Sequence, residues 1–335
     1  MEKRDHQFIV TARDKDVTLR LLEAYGIKYK VVGKIGKGRF HFIKEWVVRD
    51  QIIYSIAKRF QPSILTGIHN PSVAHVAWLT GAKSIIFTDN DLTMLTNIVT
   101  FPFADVVCTP DCFKKDIGKK QVYYNGYKEL AYLHPNYFRP DPSVLDDLGL
   151  KEEDRYIVVR FVAWQAIHDR GQHGFDTQSK YKLLNRLQEY ARVFVTSEAP
   201  LPVGLQKYEV AVSPERLHDL LYYATMFVGD CGTTAAEAGI LGTPTVRYNT
   251  FVGPDDLGFL TALEQKDGVI HSFSELDQVT SKAEEILTRE NLKREWSKKR
   301  QSILTDKIDV TQFMVEFIEN YPESFMRYRN NQAKT

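Results

Sequence analysis

The most informative segment of the sequence is Phe227-Val-Gly-Asp-Cys-Gly-Thr-Thr-Ala-Ala-Glu-Ala-Gly-Ile-Leu-Gly-Thr-Pro-Thr-Val-Arg247. Its apolar start predicts a buried strand, followed by a glycine turn, a helix and a second strand. The first N–H groups of a helix have no partner within the helix and lie at the positive end of its dipole, so they favour a phosphate. We therefore expect a diphosphate to bind at Gly232, Thr233 and Thr234.

The same residues allow a second interpretation that needs no ligand. Thr234-Ala-Ala-Glu237 has the pattern of a capping box, in which the Glu237 side chain reaches back to the backbone N–H of Thr234. A well-capped strand, turn and helix are common in α/β proteins. The local pattern leaves both interpretations open.

Length and composition indicate a globular protein of two domains. The chain has 335 residues, more than one hydrophobic core usually serves. With 26% charged and 43% apolar residues it is not a disordered chain, and no apolar run approaches the roughly 20 residues that cross a bilayer. The charged start, Met1–Gln7, has no signal-peptide pattern and predicts a cytoplasmic protein. The spacing of Cys108, Cys112 and Cys231 fits neither a disulfide framework nor a zinc ribbon.

Net charge is only +1, but residues 28–59 are strongly basic. Nine Lys or Arg stand there against two acidic residues, a local charge of +7. With apolar neighbours such as Phe42 and Trp46, this segment is a candidate for peripheral contact with anionic lipid on the inner face of a membrane. The alternative is a solvated face of an amphipathic helix.

Short apolar runs alternate with helical patterns along the first half, which predicts βαβ units and a parallel sheet. The predicted strands are Gln7–Thr11, Tyr29–Val32, Ser63–Thr66, Ser84–Phe87, Asp105–Cys108 and Gln121–Tyr123. Residues 134–151 hold three prolines and a charge cluster, as expected of a crossing between domains.

A second alternating series follows that crossing and ends in a mostly helical tail. Its predicted strands are Tyr156–Val162, Val193–Thr196, Met226–Val228 and Thr245–Arg247. Its predicted helices are Gln178–Tyr190, Pro214–Tyr223 and Thr234–Leu241. In the tail, Phe313, Val315, Phe317 and Ile318 form an amphipathic pattern that predicts docking of the helix. We find no short internal repeat.

The first strand of the second series runs into a loop rich in charged and aromatic residues. In an open parallel sheet, ligands bind outside the carboxyl ends of the strands, so this loop and the 229–234 turn are expected at one crevice. Arg160, Trp164, His168 and Asp169 are candidates for holding a charged ligand. Ser197 and Glu198 end the next strand at the same edge, where a carboxylate accepts hydrogen bonds from sugar hydroxyls. His168 and His173 have no third metal-ligand cluster nearby, so we expect no metal.

In the first half, His69 and Asp89 follow predicted strands. Either is a candidate general base for an acceptor hydroxyl, although residues at such positions more often cap the next helix. A Walker loop, a nucleophile elbow and a G-x-G-x-x-G fingerprint are all missing from the sequence.

Several of these motifs together resemble a family of uncharacterised archaeal and bacterial proteins, domain of unknown function 354. They are Arg160-Phe-Val-Ala-Trp164, His168-Asp169, Val195-Thr-Ser-Glu198, the segment Gly229–Pro244, and Tyr132-Leu-His-Pro-Asn-Tyr-Phe-Arg-Pro-Asp-Pro142. The resemblance covers nearly the whole chain. That family is similar to the GT-B superfamily, which includes the N-acetylglucosaminyltransferase of peptidoglycan lipid synthesis and UDP-N-acetylglucosamine 2-epimerase.

The resemblance implies an α/β, GT-B-like fold: two Rossmann-like parallel-sheet domains facing a cleft. The implied domains are an acceptor-side domain with linker at 1–150, a nucleotide-sugar domain at 151–310, and a final helix and tail at 311–335 that returns to the first domain. It also implies diphosphate binding at Gly232, Thr233 and Thr234, and a bond from Glu237 to the ribose. Relatives open with a βα unit before the segment resembling 2–13, so we expect the N-terminal domain to lack its first βα unit.

These implications lead to an expected function. We expect a glycosyltransferase that needs no metal or cofactor and uses a nucleotide-diphosphate sugar, most simply a UDP-sugar, in cell-surface polysaccharide or glycolipid synthesis. The acceptor is unidentified, with a lipid-linked one fitting the basic segment, and no nucleic-acid partner is expected. Two alternatives stay open: a nucleotide-sugar 2-epimerase on the same fold, and an inactive sugar-nucleotide-binding protein.

Overall fold

The structure is a computed structural model, and it describes residues 1, 4–34, 39–163, 174–210, 212–250 and 252–332. The chain divides into two compact units. Unit 1 consists of Met1–Asn125 together with Val310–Thr335, and unit 2 is Gly126–Asp309. Residues 134–151, where the sequence predicts the crossing between domains, therefore lie within unit 2.

Unit 1 contains two parallel sheets. Its strands are β1 (Val10–Asp14), β2 (Tyr29–Lys34), β3 (Ile64–Ile68), β4 (Lys83–Phe87), β5 (Val106–Pro110) and β6 (Gln121–Tyr124). Its helices are α1 (Thr18–Ala24), α2 (Arg39–Phe60), α3 (Pro71–Thr80), α4 (Met94–Thr100), α13 (Val310–Glu319) and α14 (Glu323–Gln332). β1 pairs with β2, and the other four pair in the order β3-β4-β5-β6. β5 is wholly buried, and β4 is buried except at its first residue. Helices cover strands of this kind on both faces, so their sequences do not alternate between apolar and polar residues.

The last two helices complete the core of unit 1. Phe313 on α13 is buried, and its ring centroid lies 5.1 Å from that of Tyr124 and 6.5 Å from that of Phe87. Phe317 packs beside it and is also buried. The amphipathic pattern at the end of the sequence thus corresponds to a helix docked on β4 and β6.

Unit 2 is built on a single five-stranded sheet. Its strands are β7 (Tyr156–Phe161), β8 (Arg192–Ser197), β9 (Met226–Gly229), β10 (Thr245–Tyr248) and β11 (Ile270–Phe273). Its helices are α5 (Leu130–Leu133), α6 (Ser143–Asp147), α7 (Thr177–Leu187), α8 (Leu217–Tyr223), α9 (Gly232–Leu241), α10 (Gly258–Gln265), α11 (Leu276–Leu287) and α12 (Leu292–Asp306). The order is β11-β10-β9-β7-β8, with every pair parallel. The carboxyl ends of all five strands therefore share one edge.

Helix α9 lies deep in unit 2 because most of its side chains are small. A Cβ placed on Gly239 would lie 3.0 Å from the Val269 side chain and 3.1 Å from the Ile270 side chain, so glycine allows this approach without displacing them. The helix ends at Gly242, which adopts the left-handed conformation with φ of 84°. These two glycines fix where α9 runs, and so where its N-terminus points.

The α/β fold with parallel sheets in two Rossmann-like bodies is confirmed. Predicted strands agree with observed ones to within a few residues. The largest difference within the informative segment is at α9, which begins at Gly232 rather than at Thr234. Among the described residues, no helix has both the length and the apolar character needed to cross a bilayer.

Candidate functional site

The N-terminus of α9 lies at the carboxyl edge of the unit 2 sheet, directly after β9. Cys231 is the N-cap residue, and its side chain makes no capping hydrogen bond. Thr233 is exposed, whereas Thr234 is buried and its hydroxyl donates to Cys231 Sγ at 3.3 Å. The first turn of α9 is thus presented without a side-chain cap, as an anion site at a helix N-terminus requires.

The structure decides against the capping box. Because α9 begins at Gly232, Glu237 lies in the second turn, too far along the helix to cap its first residues. Glu237 is buried, and its Oε1 accepts a hydrogen bond from Tyr132 Oη at 2.9 Å. The same oxygen lies 3.2 Å from His218 Nε2. Glu237 thus joins α9 to α5 and α8 in unit 2.

Arg247 is a further candidate site residue, one that the sequence pattern did not single out. It lies on β10, is almost fully buried, and forms an ion pair with Asp256. A Cβ placed on Gly232 would lie 3.6 Å from Arg247 Nη1, so the guanidinium lies beside the start of α9. The available signal was an arginine near the carboxyl end of β10, at the edge of the sheet where ligands bind.

Two predicted residues meet at the neighbouring strand ends. Arg160 Nη2 donates to Glu198 Oε1 at 2.9 Å, and the Ala163 N–H donates to Glu198 Oε2 at 3.3 Å. Ser197 turns away, and its hydroxyl donates to the carbonyl of Ala199 at 2.6 Å. Arg160 and Glu198 therefore form one charged pair at this edge, in which Glu198 also holds the chain that leaves β7.

Asp230 is a second residue that the sequence analysis did not select. Its side chain is buried, and its two oxygens accept from the N–H of Val162 at 2.9 Å and of Phe175 at 3.3 Å. These two residues flank the predicted ligand loop. Trp164, His168 and Asp169, the loop's candidate residues, lie outside the described residues.

Unit 1 holds the two candidate general bases at its own carboxyl edge. His69 follows β3 with a φ of 44°, a left-handed conformation that is uncommon outside glycine. Its Nδ1 lies 3.1 Å from Thr88 Oγ1, its Nε2 lies 3.4 Å from Thr93 Oγ1, and its ring stacks on Phe101. Asp89 follows β4 and is buried. Both candidates are thus held within unit 1.

The basic segment 28–59 is not one continuous exposed face. Arg49 is buried, and its Nε donates to Ser72 Oγ at 2.9 Å. Its Nη1 lies 3.5 Å from Glu45, which also pairs with Arg13. Burial lowers the pKa of Arg49 from its usual value. At least one positive charge of the segment, that of Arg49, is therefore buried and paired inside unit 1.

The described residues contain no group of three or more His, Cys, Asp or Glu side chains placed to hold a metal ion.

Comparison with known proteins places the chain among uncharacterised relatives. A model of the family described as "Protein of unknown function (DUF354)" matches residues 1–323. The uncharacterised protein MJ0665 of Methanocaldococcus jannaschii is 26% identical over 286 residues, which cover 81% of each chain. Sequence relatives therefore show a family without showing an activity.

The solved structures with a similar fold include proteins described as UDP-N-acetylglucosamine 2-epimerases and glycosyltransferases. A Listeria monocytogenes protein provisionally named UDP-N-acetylglucosamine 2-epimerase aligns with a TM-score of 0.66 and 12% identity, over 96% of this chain and 90% of that one. The forosaminyltransferase SpnP aligns at 0.60 and 13%, over 95% and 93%. The Neisseria meningitidis UDP-GlcNAc 2-epimerase, solved with UDP-GlcNAc bound, aligns at 0.58 and 9%, over 94% and 93%. At this identity the likeness shows the fold alone, and that fold is GT-B-like.

Proposed function

The chain belongs to the DUF354 family, and from this premise we propose that it is a GT-B-type glycosyltransferase that uses a nucleotide-diphosphate sugar. The donor we propose is a UDP-sugar, and the acceptor belongs to cell-surface polysaccharide or glycolipid synthesis. The observation that carries the proposal is the uncapped N-terminus of α9 beside the buried guanidinium of Arg247.

The proposed diphosphate site combines two sources of positive potential. The N–H groups of Gly232, Thr233 and Thr234 lie at the positive end of the α9 dipole. Arg247 adds a charge next to Gly232, although its pairing with Asp256 reduces the net effect. Fixed donors and charge at this position stabilise the nucleoside diphosphate as it leaves, which lowers the barrier without a metal.

The remaining candidates take positions around that diphosphate in the proposal. Among the described residues, both contacts of Glu237 use Oε1, so Oε2 is the oxygen we assign to a ribose hydroxyl. Arg160, Trp164, His168, Asp169, Ser197 and Glu198 are assigned to the nucleotide-sugar side. His69 is proposed as the general base toward the acceptor, with Asp89 as the alternative.

A charge placed in the first turn of α9 tests the site. Thr233→Glu puts a carboxylate at an exposed position where it favours the helix by about 0.3–1 kcal/mol, so the variant folds. The same carboxylate repels a diphosphate. We expect UDP or a UDP-sugar at about 100 times its Kd to stabilise the wild type by about 2.7 kcal/mol and to leave Thr233→Glu unchanged in a thermal-shift assay.

The matched control is Thr18→Glu. Thr18 is an exposed first-turn threonine of α1, a helix that also lacks a side-chain cap. This variant should keep the full nucleotide response. A panel with GDP, CMP and dTDP identifies the base. A wild type that responds to no nucleotide, or a Thr233→Glu variant that responds fully, contradicts the proposed site.

A nucleotide-sugar 2-epimerase is the second candidate, because structures of such epimerases share this fold. The two reactions give different products. Without any acceptor, an epimerase changes the sugar and keeps it attached to the nucleotide, whereas the proposed transferase releases the nucleotide only when an acceptor is present. Nucleotide binding with neither product would favour the inactive binding protein.

A further inference from the structure

Helix α4 of unit 1 presents its apolar side chains to solvent. Met94, Leu95 and Ile98 are 67%, 67% and 57% exposed, whereas the buried residues of this helix are the polar Asn97 and Thr100. A helix on the surface of a soluble domain normally shows the reverse arrangement. The outward face of α4 therefore has a composition suited to an apolar environment.

The apolar surface continues onto α3 and the chain after α4. Trp78 and Leu79 on α3 are 66% and 55% exposed, and the Trp78 ring packs edge-on against Phe103 at 5.6 Å. His75 connects the two helices, since its Nε2 lies 2.7 Å from the carbonyl oxygen of Val99. We name this surface the α3–α4 face; its members are Trp78, Leu79, Met94, Leu95, Ile98 and Phe103.

A basic segment borders the α3–α4 face. Residues 114–120 hold four lysines and a single acidic residue, Asp116. Lys115 and Lys119 are exposed, while Lys120 Nζ donates to the carbonyl of Pro102 at 2.8 Å and so ties the segment to the end of α4. Positive charge next to exposed tryptophan, leucine and methionine is the pattern of a surface that meets anionic lipid.

A cavity of about 480 Å³ opens between α4 and this basic segment. Its lining includes Met94, Ile98, Phe101, Ile117 and Lys115. Asn97 also lines it, is only 7% exposed, and within the described part of the chain its amide has no hydrogen-bond partner. A buried unpaired amide is costly, and the ester oxygens of a lipid would accept hydrogen bonds from its Nδ2.

We propose that the α3–α4 face docks on an anionic lipid bilayer. The apolar side chains enter the boundary between headgroups and acyl chains, and Lys115 and Lys119 face the lipid phosphates. A second copy of this chain fits less well, because a two-fold contact would bring like-charged lysine segments together. This surface differs from the segment 28–59 considered from the sequence, and the proposal stands independently of the sugar-transfer function.

Vesicle co-sedimentation of the full chain tests the proposal. With sucrose-loaded vesicles containing about 30 mol % phosphatidylglycerol in phosphatidylcholine, we expect binding that weakens as salt is raised. Leu95→Glu/Ile98→Glu should lower the partition coefficient at least tenfold. Lys115→Glu/Lys119→Glu should lower it on the anionic vesicles by at least about 25-fold, since losing each basic residue near such a surface costs about fivefold and the new carboxylates are repelled in addition.

Matched controls come from unit 2. Val203 is 86% exposed, and Lys293 and Lys298 are exposed, so Val203→Glu and Lys293→Glu/Lys298→Glu repeat the chemistry on another surface. These controls should bind vesicles like the wild type. All the changed residues are exposed, so melting temperatures and any nucleotide response should persist, which separates a failure of this proposal from a failure of the proposed function.

A spectroscopic signal reports the geometry directly. Trp78 should shift its fluorescence to shorter wavelength when anionic vesicles are added, and Trp78→Phe should lose that shift. The proposal would be overturned if Leu95→Glu/Ile98→Glu and Lys115→Glu/Lys119→Glu both bound vesicles as well as the wild type does. So would a wild type that is dimeric by light scattering, ignores vesicles, and becomes monomeric in Leu95→Glu/Ile98→Glu.

Discussion

His271 on β11 is a neutral histidine among cations. Its ring lies near Trp296, and burial together with Lys282, Lys299 and Arg289 lowers its pKa from 6.5 to about 4. The unfolded chain therefore binds a proton between about pH 6.5 and 4 that the folded chain does not bind. This residue makes the protein less stable as the pH falls through that range, with the full stability present above pH 6.5.

We expect His271→Gln to flatten the pH dependence of stability. Glutamine is neutral at every pH, so the loss of stability on acidification from about pH 6.5 to 4 should become smaller. Urea unfolding measured at several pH values gives the comparison. His6→Gln is the control, because that ring is exposed and lies on the surface of unit 1. Parallel pH profiles for wild type and His271→Gln would contradict the assignment.

The residues that sequence could and could not identify differ in one respect. Gly232, Thr233 and Thr234 can be selected as candidates from the sequence because a strand, a glycine turn and a helix are local signals; their binding of a diphosphate stays a prediction. Arg247 lies beside Gly232 at the start of α9, and Asp230 accepts from the N–H of Val162 after β7, so no local spacing reveals either contact. The sequence places Glu237 on the correct helix, α9. Its contact with Tyr132 could not be predicted, because the two residues are 105 positions apart.

Among the elements, α9 is positioned by the lack of a side chain at Gly239. Gly239→Ala would place a methyl group 3.0 Å from the Val269 side chain and 3.1 Å from that of Ile270, so these two buried side chains would have to move. We expect a loss of about 1–3 kcal/mol in the free energy of unfolding and, in the proposed function, weaker nucleotide binding. Denaturant unfolding with and without UDP measures both.

The rescue for this prediction is the double variant Gly239→Ala/Val269→Ala. Removing the methyl groups of Val269 makes room for the new one, so the double variant should lose less stability than the two single losses added together. Strictly additive losses would show that the approach of α9 to Val269 is not the source of the effect.

Asp230 holds the chain on both sides of the predicted ligand loop, at Val162 after β7 and at Phe175 before α7. Asp230→Asn replaces one accepting oxygen by a donor, which leaves a backbone N–H of Val162 or Phe175 facing another donor. We expect a cost of about 1–3 kcal/mol and faster hydrogen exchange at those two amides. Asp176→Asn is the control, because Asp176 caps α7 through the N–H of Ser179. Unchanged exchange at Val162 and Phe175 would refute the prediction.

Element types were well predicted where apolar runs are buried on both faces, as in β4, β5, β7 and β9. The start of α9 was predicted two residues late, because Gly232 and Thr233 carry little helix propensity and their tertiary setting decides. The exposed apolar face of α4 was not predicted. From the sequence, apolar residues at helical spacing indicate the core, and only the structure shows that Asn97 and Thr100 lie there instead.

For the whole molecule, the return of the last helices to unit 1 gives a sharp expectation. Phe313 is 5% exposed among aromatic rings of unit 1, so Phe313→Ala should cost about 3–5 kcal/mol. Hydrogen exchange should show lost protection in β4 and β6 but not in the sheet of unit 2. Met326→Ala on α14 is the control, since Met326 is 51% exposed and should change stability by less than about 0.5 kcal/mol.

The fold class could be predicted from the sequence more accurately than the boundary between the two units. Alternating strands and helices indicated two parallel-sheet bodies, and the resemblance implied a GT-B-like fold. The crossing was placed at the proline-rich residues 134–151, but the chain enters unit 2 at Gly126. Tyr127 gives the reason. Its ring is buried and its hydroxyl donates a hydrogen bond to Asp267, so the chain before the prolines already packs into unit 2.

The interrupted course of unit 1 also sets an order for events on the ribosome. Synthesis completes Gly126–Asp309 before it produces Val310, so unit 2 is whole while unit 1 still lacks α13 and α14. At about 5–20 residues per second, the nascent residues 1–125 wait on the order of ten seconds or more for Phe313 and Phe317. Residues 1–125 are therefore made before unit 2 but finish folding after it, and a chain arrested before residue 310 should offer chaperones an unfinished unit 1 and a finished unit 2.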